Sequence, residues 1–286
     1  MQHKCPPPNA VENIFSFNAK LSDRELEKIS QLIYQRVGIV LTEQKRDMIY
    51  NRLSRRLREL KINDFSSYLA QLEASTNNSE WQIFINSLTT NLTSFFRESY
   101  HFPILAEHAQ QRGGNYSVWC TSTSSGEEAC SVAITLEEAL GRSSIGPRVW
   151  ATDVDTEVLN KAIAGVYRLS DLDNLSQEYK KRYFLRGTGT QHQLVKVRKE
   201  LLDSIHYQHL NLMDAIWDIP PQFDAIFCRN VMIYFDKQTQ ERLLARFARQ
   251  LKPGGMLFVG HSEHFAHTGS PFHLRGQSVY SLSREK

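Results

Sequence analysis

The sequence is poor in the features that mark secreted, membrane-spanning or zinc-binding proteins. Its 286 residues include four cysteines (Cys5, Cys120, Cys130 and Cys228), and these form no C-x-x-C pair. Such scattered cysteines argue against a disulfide framework or a zinc site and suit a reducing compartment. No apolar run approaches the ~20 residues needed to span a bilayer. Residues 1–17 lack the apolar centre of a signal peptide. These absences predict a cytoplasmic protein.

Charge of one sign is also scarce. The chain has 34 basic and 31 acidic residues, and its net charge of +3 is too small to predict nucleic-acid binding by itself. Hydrophobic residues make up 41% and charged residues 23%, which is typical of a globular protein. At about 150 residues per domain, the length predicts two domains.

The first third of the chain has a helical pattern. Residues 1–17 contain three consecutive prolines and are predicted to be a flexible tail, whereas residues 18–90 have helical periodicity. Ser22 and Glu25 form the pattern of a capping box at the start of one helix. A second helix is predicted over residues 43–61 and is strongly basic. Its apolar residues fall within one stripe that is predicted to pack against the rest of the helical domain: Ile49, Leu53, Leu57 and Leu60.

Short apolar strands alternate with helices in the rest of the chain, residues 91–286. This alternation predicts an α/β fold with a parallel sheet covered by helices. Residues 166–206 have a different pattern, with short β-rich runs around a Gly-Thr-Gly turn, and predict a small antiparallel hairpin insertion.

The turn after the first predicted strand has one glycine where a dinucleotide site has three. The segment SSGEE places Glu127 and Glu128 directly after Gly126, and the G-x-G-x-x-G pattern is absent. Asp153 ends the second strand, the usual place of an acid that binds ribose hydroxyls. A nucleoside with positive charge fits these acids better than a pyrophosphate, and S-adenosylmethionine carries both a sulfonium and an ammonium group.

These side chains also have purely structural interpretations. Glu127 and Glu128 could stabilise a helix N-terminus by about 0.3–1 kcal/mol, and Asp153 could cap the helix that follows it. His261 and His264 suggest a metal site, but no cysteine or further histidine cluster accompanies them, so we predict no metal.

Six segments of the chain resemble, in order, the motifs of the chemotaxis receptor methyltransferases, the CheR-type family. The resemblance begins near residue 20 and covers almost the whole chain. The segments are NLTSFFRE (91–98), SSGEE (124–128), ATDVD (151–155), FDAIFCRNVMIYF (223–235), LKPGGMLFVGHSE (251–263) and LRGQSVYSL (274–282).

The resemblance implies a fold and an activity. The expected fold is an N-terminal all-α domain followed by a class I (Rossmann-like) S-adenosylmethionine-dependent methyltransferase domain, with a small antiparallel β-subdomain inserted in the latter. The implied reaction transfers a methyl group from S-adenosylmethionine to glutamate side chains of bacterial chemoreceptors, giving methyl esters and S-adenosylhomocysteine.

The family's functional residues map onto this sequence one by one. Tyr234 matches a tyrosine near the transferred methyl group, and Arg97 belongs to the matched segment just before the sheet domain; both are predicted to be catalytic by positioning the acceptor carboxylate. One departure is Ala129-Cys130, where the family commonly has Pro-Tyr after its two glutamates. The predicted cofactor-binding residues are Asn91, Thr93, Arg97, Glu128, Asp153, Asn211, Leu212, Arg229 and Asn230.

Two surfaces are predicted to bind the receptor. The basic face of the 43–61 helix is expected to face outward and contact the receptor's acidic methylation helices. The β-subdomain is expected to bind a peptide from the receptor's C-terminal tail. The predicted substrate-binding residues are Arg52, Arg55 and Arg56 on the helix, and Arg186, Gly187, Gly189 and Arg198 on the insertion.

Two alternative functions compete with this one. The basic helix would also suit a nucleic-acid methyltransferase, although the segment CRNVMIYF lacks the Asn/Asp-Pro-Pro-aromatic motif of amino-group methylases of bases. A cofactor-binding signalling module that has lost transfer activity is the second alternative, and the Ala129-Cys130 departure is its support.

Overall fold

The computed structural model of the chain describes residues 19–75, 78–142, 146–265 and 270–282. The predicted tail, residues 1–17, lies outside these ranges. Among the helices described, none is long and apolar enough to cross a membrane.

Four helices form the N-terminal part of the chain. The predicted capping box is present: the Glu25 amide donates to Ser22 Oγ at 3.3 Å and the Ser22 amide to the Glu25 carboxylate at 2.8 Å. The basic helix begins at Arg46 rather than at residue 43, because residues 43–45 form a single 3₁₀ turn. The helices are α1 (Asp23–Val37), α2 (Arg46–Leu60), α3 (Phe65–Ala74) and α4 (Asn78–Leu88).

The core of this helical part follows the predicted periodicity. Ile49, Leu53 and Leu57 on α2 are fully buried, and so are Ile29 and Ile33 on α1. These side chains pack in one cluster with apolar residues of α3 and α4. The apolar stripe predicted for the basic helix is therefore its buried face.

The remaining described residues alternate between strands and helices. The helices are α5 (His101–Arg112), α6 (Glu127–Leu140), α7 (Thr156–Ala164), α8 (Gln177–Tyr183), α9 (Lys199–Leu202) and α10 (Lys237–Gln250). The strands are β1 (Val118–Cys120), β2 (Val149–Asp153), β3 (Val166–Arg168), β4 (Phe184–Arg186), β5 (Leu194–Val197), β6 (Ile205–His209), β7 (Phe223–Cys228), β8 (Leu251–Val259), β9 (Phe272–Gly276) and β10 (Val279–Leu282).

Seven of these strands form one sheet in the order β6-β2-β1-β7-β8-β10-β9. The first five are parallel, and β10 runs antiparallel to both β8 and β9. The order reverses direction around β1, so the carboxyl ends of β1, β2, β6 and β7 meet at one edge of the sheet. Ligands of open α/β sheets bind at such a crevice.

The insertion at residues 166–206, called the β-subdomain below, is larger than the predicted hairpin. It is a three-stranded antiparallel sheet of order β3-β5-β4, and α8 lies between β3 and β4 in the chain. Tyr167, Phe184 and Val195 are buried in the same core cluster as β1 and α6. The β-subdomain is thus packed into the main domain.

Candidate functional site

A cleft of about 870 Å³, including its open mouth, lies where the four parallel strands end. Val37 and Ile39, at and just after the end of α1, form one wall, so the helical part contributes to the site. All the residues predicted to bind cofactor or act in catalysis line it: Asn91, Thr93, Arg97, Glu128, Asp153, Asn211, Leu212, Arg229, Asn230 and Tyr234.

The single glycine of the first turn is required by close packing. Gly126 has φ +97°, and a Cβ there would lie 2.8 Å from Ala162 Cβ on α7 and 2.9 Å from the Tyr167 hydroxyl. Ser124 also has a positive φ of 50°, a strained conformation for a non-glycine residue. The turn is therefore shaped by contact with α7 and β3.

Asp153 is fixed by backbone groups on both sides. Its carboxylate accepts hydrogen bonds from the Ser124 amide at 2.8 Å and from the Asp155 amide at 2.9 Å. Burial raises the pKa of Asp153 to about 6, although these hydrogen bonds oppose the shift. The helix-capping role that Asp153 could have had belongs to Asp155, which accepts from the Glu157 and Val158 amides.

Glu128 forms a buried ion pair with Arg229. The distance from Glu128 Oε2 to Arg229 Nη1 is 3.0 Å, and the arginine side chain is 1% exposed. Burial raises the pKa of Glu128 to about 7, and the attraction of Arg229 only partly opposes this. Arg229 also lies 3.4 Å from Glu98, so two carboxylates share one cation.

The other glutamate of the turn does not face the cleft. Glu127 accepts a hydrogen bond from Ser125 Oγ at 2.7 Å and is absent from the lining residues. Burial raises its pKa, and Asp171 of the β-subdomain adds to that shift. The expectation that both glutamates favour a bound cation is wrong for Glu127, because consecutive helical residues point about 100° apart.

The segment that carries Arg97 is strained and well supported. Phe96 and Glu98, on either side of it, have φ values of 51° and 53°. Phe95 packs edge-on against Tyr167 and Phe184 of the β-subdomain, with ring centroids 4.9 and 5.4 Å away. Such strain persists only where the surroundings over-determine it, and it concentrates at functional sites.

Asn91 attaches the same segment to the end of β2. Its side-chain amide donates to Asp155 at 2.7 Å, and its carbonyl accepts from Ser124 Oγ at 2.9 Å. Thr89 Oγ1 also donates to Asp155, at 2.6 Å. These bonds hold the connector between the helical part and the main domain against the cleft.

Asn211 has a bridging role that the sequence did not indicate. Its side-chain amide donates to the Arg36 carbonyl at the end of α1, at 2.7 Å, and its side-chain oxygen accepts from the Met213 amide. The neighbouring Leu212 is buried. Because its side chain is occupied in this way, Asn211 presents mainly backbone to the cleft.

Tyr234 lies in a 3₁₀ turn after β7 and is held by the helical part. Its carbonyl accepts from the Val40 amide at 2.8 Å. The ammonium of Lys45 lies 5.5 Å from the centroid of its ring. Lys45 therefore stands beside a predicted catalytic residue, although its sequence position suggested only a basic helix face.

Glu263 is the functional residue that sequence reasoning missed. It is 3% exposed, and its two carboxylate oxygens accept four backbone amides. The donors are Asn230 (2.9 Å), Gly260 (2.5 Å), Met232 (2.8 Å) and Ile233 (3.3 Å). This carboxylate fixes the loop that carries Arg229, Asn230 and Tyr234. The signal in the sequence is the acidic residue of the segment GHSE, close after the last parallel strand β8.

The three arginines of α2 that were predicted to bind the receptor line a groove that shares Thr89 and Asn91 with the cleft. They are not equally free. Arg56 pairs with Glu80 at 2.5 Å and its side chain is 18% exposed, while Arg52 donates to the Ser87 and Thr89 carbonyls. Among these three, Arg55 alone fully faces outward, with a side chain that is 82% exposed and pairs with Glu59.

Three of the four predicted residues of the β-subdomain lie at the β4–β5 connection. Gly187 is required by packing, since a Cβ there would lie 2.1 Å from the Gln191 carbonyl oxygen, and Gly189 has φ +56°. Arg186 is exposed at the end of β4, whereas Arg198 follows β5 at its other end, is half-buried and donates to the Lys181 carbonyl at 3.3 Å. The two glycines thus have structural explanations, and Arg186 is the more exposed of the two arginines.

The donor set of the cleft fits a cationic nucleoside. Two carboxylates, those of Glu128 and Asp153, line the cleft with the cations of Arg97 and Arg229, and Arg229 is also neutralised by Glu98, which lies outside the lining. Two polar atoms on cleft-lining residues, Arg229 Nε and Thr121 Oγ1, are buried and have no hydrogen-bond partner within the described residues. Within the described residues, no group of three or more His, Cys, Asp or Glu side chains could hold a metal ion.

The Ala129-Cys130 departure lies away from the cleft. Both residues belong to α6, and their side chains are fully buried in the core cluster that also includes β1. Burial raises the pKa of the Cys130 thiol to about 12, and burial raises the pKa of the Cys228 thiol well above its ordinary value. Neither sulfur is a nucleophile at neutral pH.

Comparisons with known proteins agree with this architecture. Residues 24–89 match the family described as "CheR methyltransferase, all-alpha domain", and residues 91–281 match "CheR methyltransferase, SAM binding domain". The chemotaxis protein methyltransferase of Klebsiella aerogenes is 61% identical, over 93% of this chain and 92% of that protein. The proteins of the same name from Salmonella typhimurium and Escherichia coli are 58% and 55% identical, each over 93% of this chain and over 92% and 93% of their own lengths. The chain therefore belongs to the CheR methyltransferase family.

Proposed function

We propose that the protein transfers a methyl group from S-adenosylmethionine to glutamate carboxylates of bacterial chemoreceptors. The observation that carries this proposal is the convergence of ten predicted residues on one cleft, reached from four strand ends and the 91–98 segment. Family membership supplies the reaction class. The relatives are named as chemotaxis methyltransferases, which favours receptors over nucleic acid as the substrate.

Different residues of the cleft suit different parts of the cofactor. Asp153 suits the ribose hydroxyls, because an acid at the end of the second strand is placed to accept from them. Glu128 suits the ammonium group of the methionine part. Leu210 and Leu212 offer apolar contact to a base beside the Asn211 backbone. When bound, S-adenosylmethionine supplies an electrophilic methyl group on a positively charged sulfur.

The chain's own part in the reaction is orientation. The side chain of a glutamate has a reference pKa of about 4.3, so the acceptor is already a nucleophile at neutral pH and requires no general base. Arg97 and Tyr234 would hold the acceptor oxygen in line with the methyl group. Correct orientation is worth about 7–11 kcal/mol in favourable cases.

Arg97 is restrained from binding the acceptor too tightly. One of its guanidinium nitrogens donates to the Leu92 carbonyl at 2.9 Å. A bidentate arginine–carboxylate pair is strong and would reduce the nucleophilicity of the carboxylate. With one nitrogen occupied, the remaining donors can orient the acceptor while leaving it reactive.

Receptor binding is assigned to the two predicted surfaces. The groove beside α2 would face the acidic methylation helices, with Arg55 as its exposed cation. The edge of the β-subdomain, with Arg186 and Arg198, would bind a tail peptide as an added strand. Because the β-subdomain shares the main core, point substitutions of these arginines test this assignment better than deletion of the insertion.

The decisive experiment measures methyl transfer to receptor-bearing membranes. Purified protein and tritium-labelled S-adenosylmethionine should label the receptor band, and mild base should release the label as methanol, which identifies an ester. Arg97→Ala serves as the inactive control. Base-stable label, or label in RNA or DNA but not in receptor, would contradict the proposal.

A further inference from the structure

Three exposed aliphatic residues belong to the cleft lining or adjoin it in the chain: Leu92 lines the cleft, Ile233 precedes the lining residue Tyr234, and Val40 follows the lining residue Ile39. Within the described residues, nine large hydrophobic residues are at least 42% exposed, and Leu92 (83%), Ile233 (52%) and Val40 (42%) are among them. Such side chains scattered singly are ordinary, but a group of them beside a binding cleft marks a contact surface.

Contacts place each of the three beside the predicted catalytic residues. Leu92 lines the cleft, and its carbonyl accepts from Arg97. Ile233 precedes Tyr234 in one 3₁₀ turn, and the Val40 amide donates to the Tyr234 carbonyl. We call Leu92, Ile233 and Val40 the apolar rim.

We propose that the apolar rim is a specificity surface, which binds apolar side chains one helical turn from the acceptor glutamate on an acidic substrate helix. This inference rests on the proposed function and adds a rule of substrate selection to it. Residues three or four apart on a helix lie on one face, with Cβ atoms about 5–6 Å apart. An acceptor side chain inside the cleft therefore brings its neighbours one turn away onto the rim.

Charge complementarity favours an acidic helix as the occupant. The groove with Arg52, Arg55 and Arg56 adjoins the cleft through Thr89 and Asn91, and Lys45 lies beside Tyr234. An acidic helix can thus meet the exposed cation of Arg55 in the groove, the ammonium of Lys45 near the cleft, and aliphatic side chains at the acceptor itself. The cations would attract many acidic partners, whereas the rim would select among their glutamates.

Substitution of the rim tests the proposal. Leu92→Ser and Ile233→Ser should each raise KM for the receptor about tenfold, since burial of such a side chain contributes on that order. In Ile233→Ser, the value of kcat, the Kd for S-adenosylhomocysteine and Tm should stay unchanged, because this side chain is exposed and lies outside the cleft lining. Leu274→Ser is the matched control: Leu274 is 50% exposed on β9, at the far edge of the sheet, and its loss should change none of these values.

The substrate side provides a second arm. A chemoreceptor in native membranes keeps one acceptor glutamate, and the residues three and four positions from it are set to leucine or to glutamine. The wild-type enzyme should prefer the leucine version, and Leu92→Ser should lose that preference.

Normal receptor KM in both rim variants would overturn the proposal while the proposed function stands. A fall in Tm or in cofactor affinity in Ile233→Ser would overturn it too, since the Ile233 side chain would then pack against the protein itself. Absence of methyl transfer by the wild-type enzyme would remove the proposed function and the rim's role together.

Discussion

Cofactor affinity should depend on pH through Glu128. The pKa of this carboxyl is raised to about 7 by burial, with Arg229 opposing the shift, and the proposed ammonium partner requires the ionised form. At pH 6 about one tenth of such a group is ionised, and at pH 7.5 about three quarters. Ionisation of Glu128 alone should therefore raise the affinity for S-adenosylhomocysteine about eightfold over this interval, in addition to a smaller contribution from Asp153. The cofactor's own amino group has a reference pKa near 7.7–8.0, so the comparison stops at pH 7.5.

Stability without cofactor should change in the opposite direction. A carboxyl whose pKa is raised on folding contributes stability that is fully present below its unfolded pKa and is lost as pH rises through its folded pKa. For Glu128 that window runs from its ordinary value of 4.5 to about 7. The free protein should lose stability across this window, and the gain in Tm on adding ligand should grow.

Calorimetric titration at constant ionic strength measures the effect directly. Near pH 7, binding should release about half a proton, which two buffers of different ionisation enthalpy reveal. Glu128→Gln should weaken binding and leave about a twofold dependence from Asp153, whose pKa burial raises to about 6. A flat affinity in the wild type, or an eightfold rise that persists in Glu128→Gln, would refute the reasoning.

Four further substitutions test other parts of the site. Arg97→Ala should lower kcat about 10²-fold and Tyr234→Phe about tenfold, because a charged hydrogen-bond donor stabilises the transition state more than a neutral one. Steady-state rates at saturating cofactor measure both effects. Normal turnover in Arg97→Ala would show that Arg97 has no catalytic role. Glu263→Gln should leave backbone amides without acceptors and lower the free energy of unfolding in urea by about 3 kcal/mol, with kcat lowered more than cofactor affinity. An unchanged kcat would mean that the Glu263 carboxylate has only a structural role. Arg55→Glu should slow receptor methylation at low salt and much less at high salt, because an exposed charge mainly steers encounter; equal rates at low salt would exclude the groove.

The sheet and its cleft could be predicted because they follow from local patterns. Apolar strands that end in Asp153 or Arg229 place polar groups at one edge, and parallel topology brings those ends together. The buried stripe of α2 likewise followed from the spacing of Leu53 and Leu57. In each case the information lies within a few residues of the feature.

The rest depended on contacts between distant segments. The sequence around Glu263 does not show that four backbone amides from two loops donate to its carboxylate. The sequence around Arg56 does not show that its guanidinium forms an ion pair with Glu80. Strand β3 (Val166–Arg168), which makes the β-subdomain three-stranded rather than a hairpin, is too short for a periodic signal, and its formation depends on pairing with β5. Such features are set by packing across the fold, which a single sequence does not display.

The wedge of Phe95 between Tyr167 and Phe184 has an evolutionary consequence. An insertion that only displayed a docking surface could be exchanged between relatives without cost to catalysis. This one also supports the strained segment of Arg97, so its inner face is constrained by the reaction. Under the proposed role of the β-subdomain in receptor binding, receptor preference would diverge through outward positions such as Arg186, and grafting a foreign insertion would require its inner aromatic residues to match.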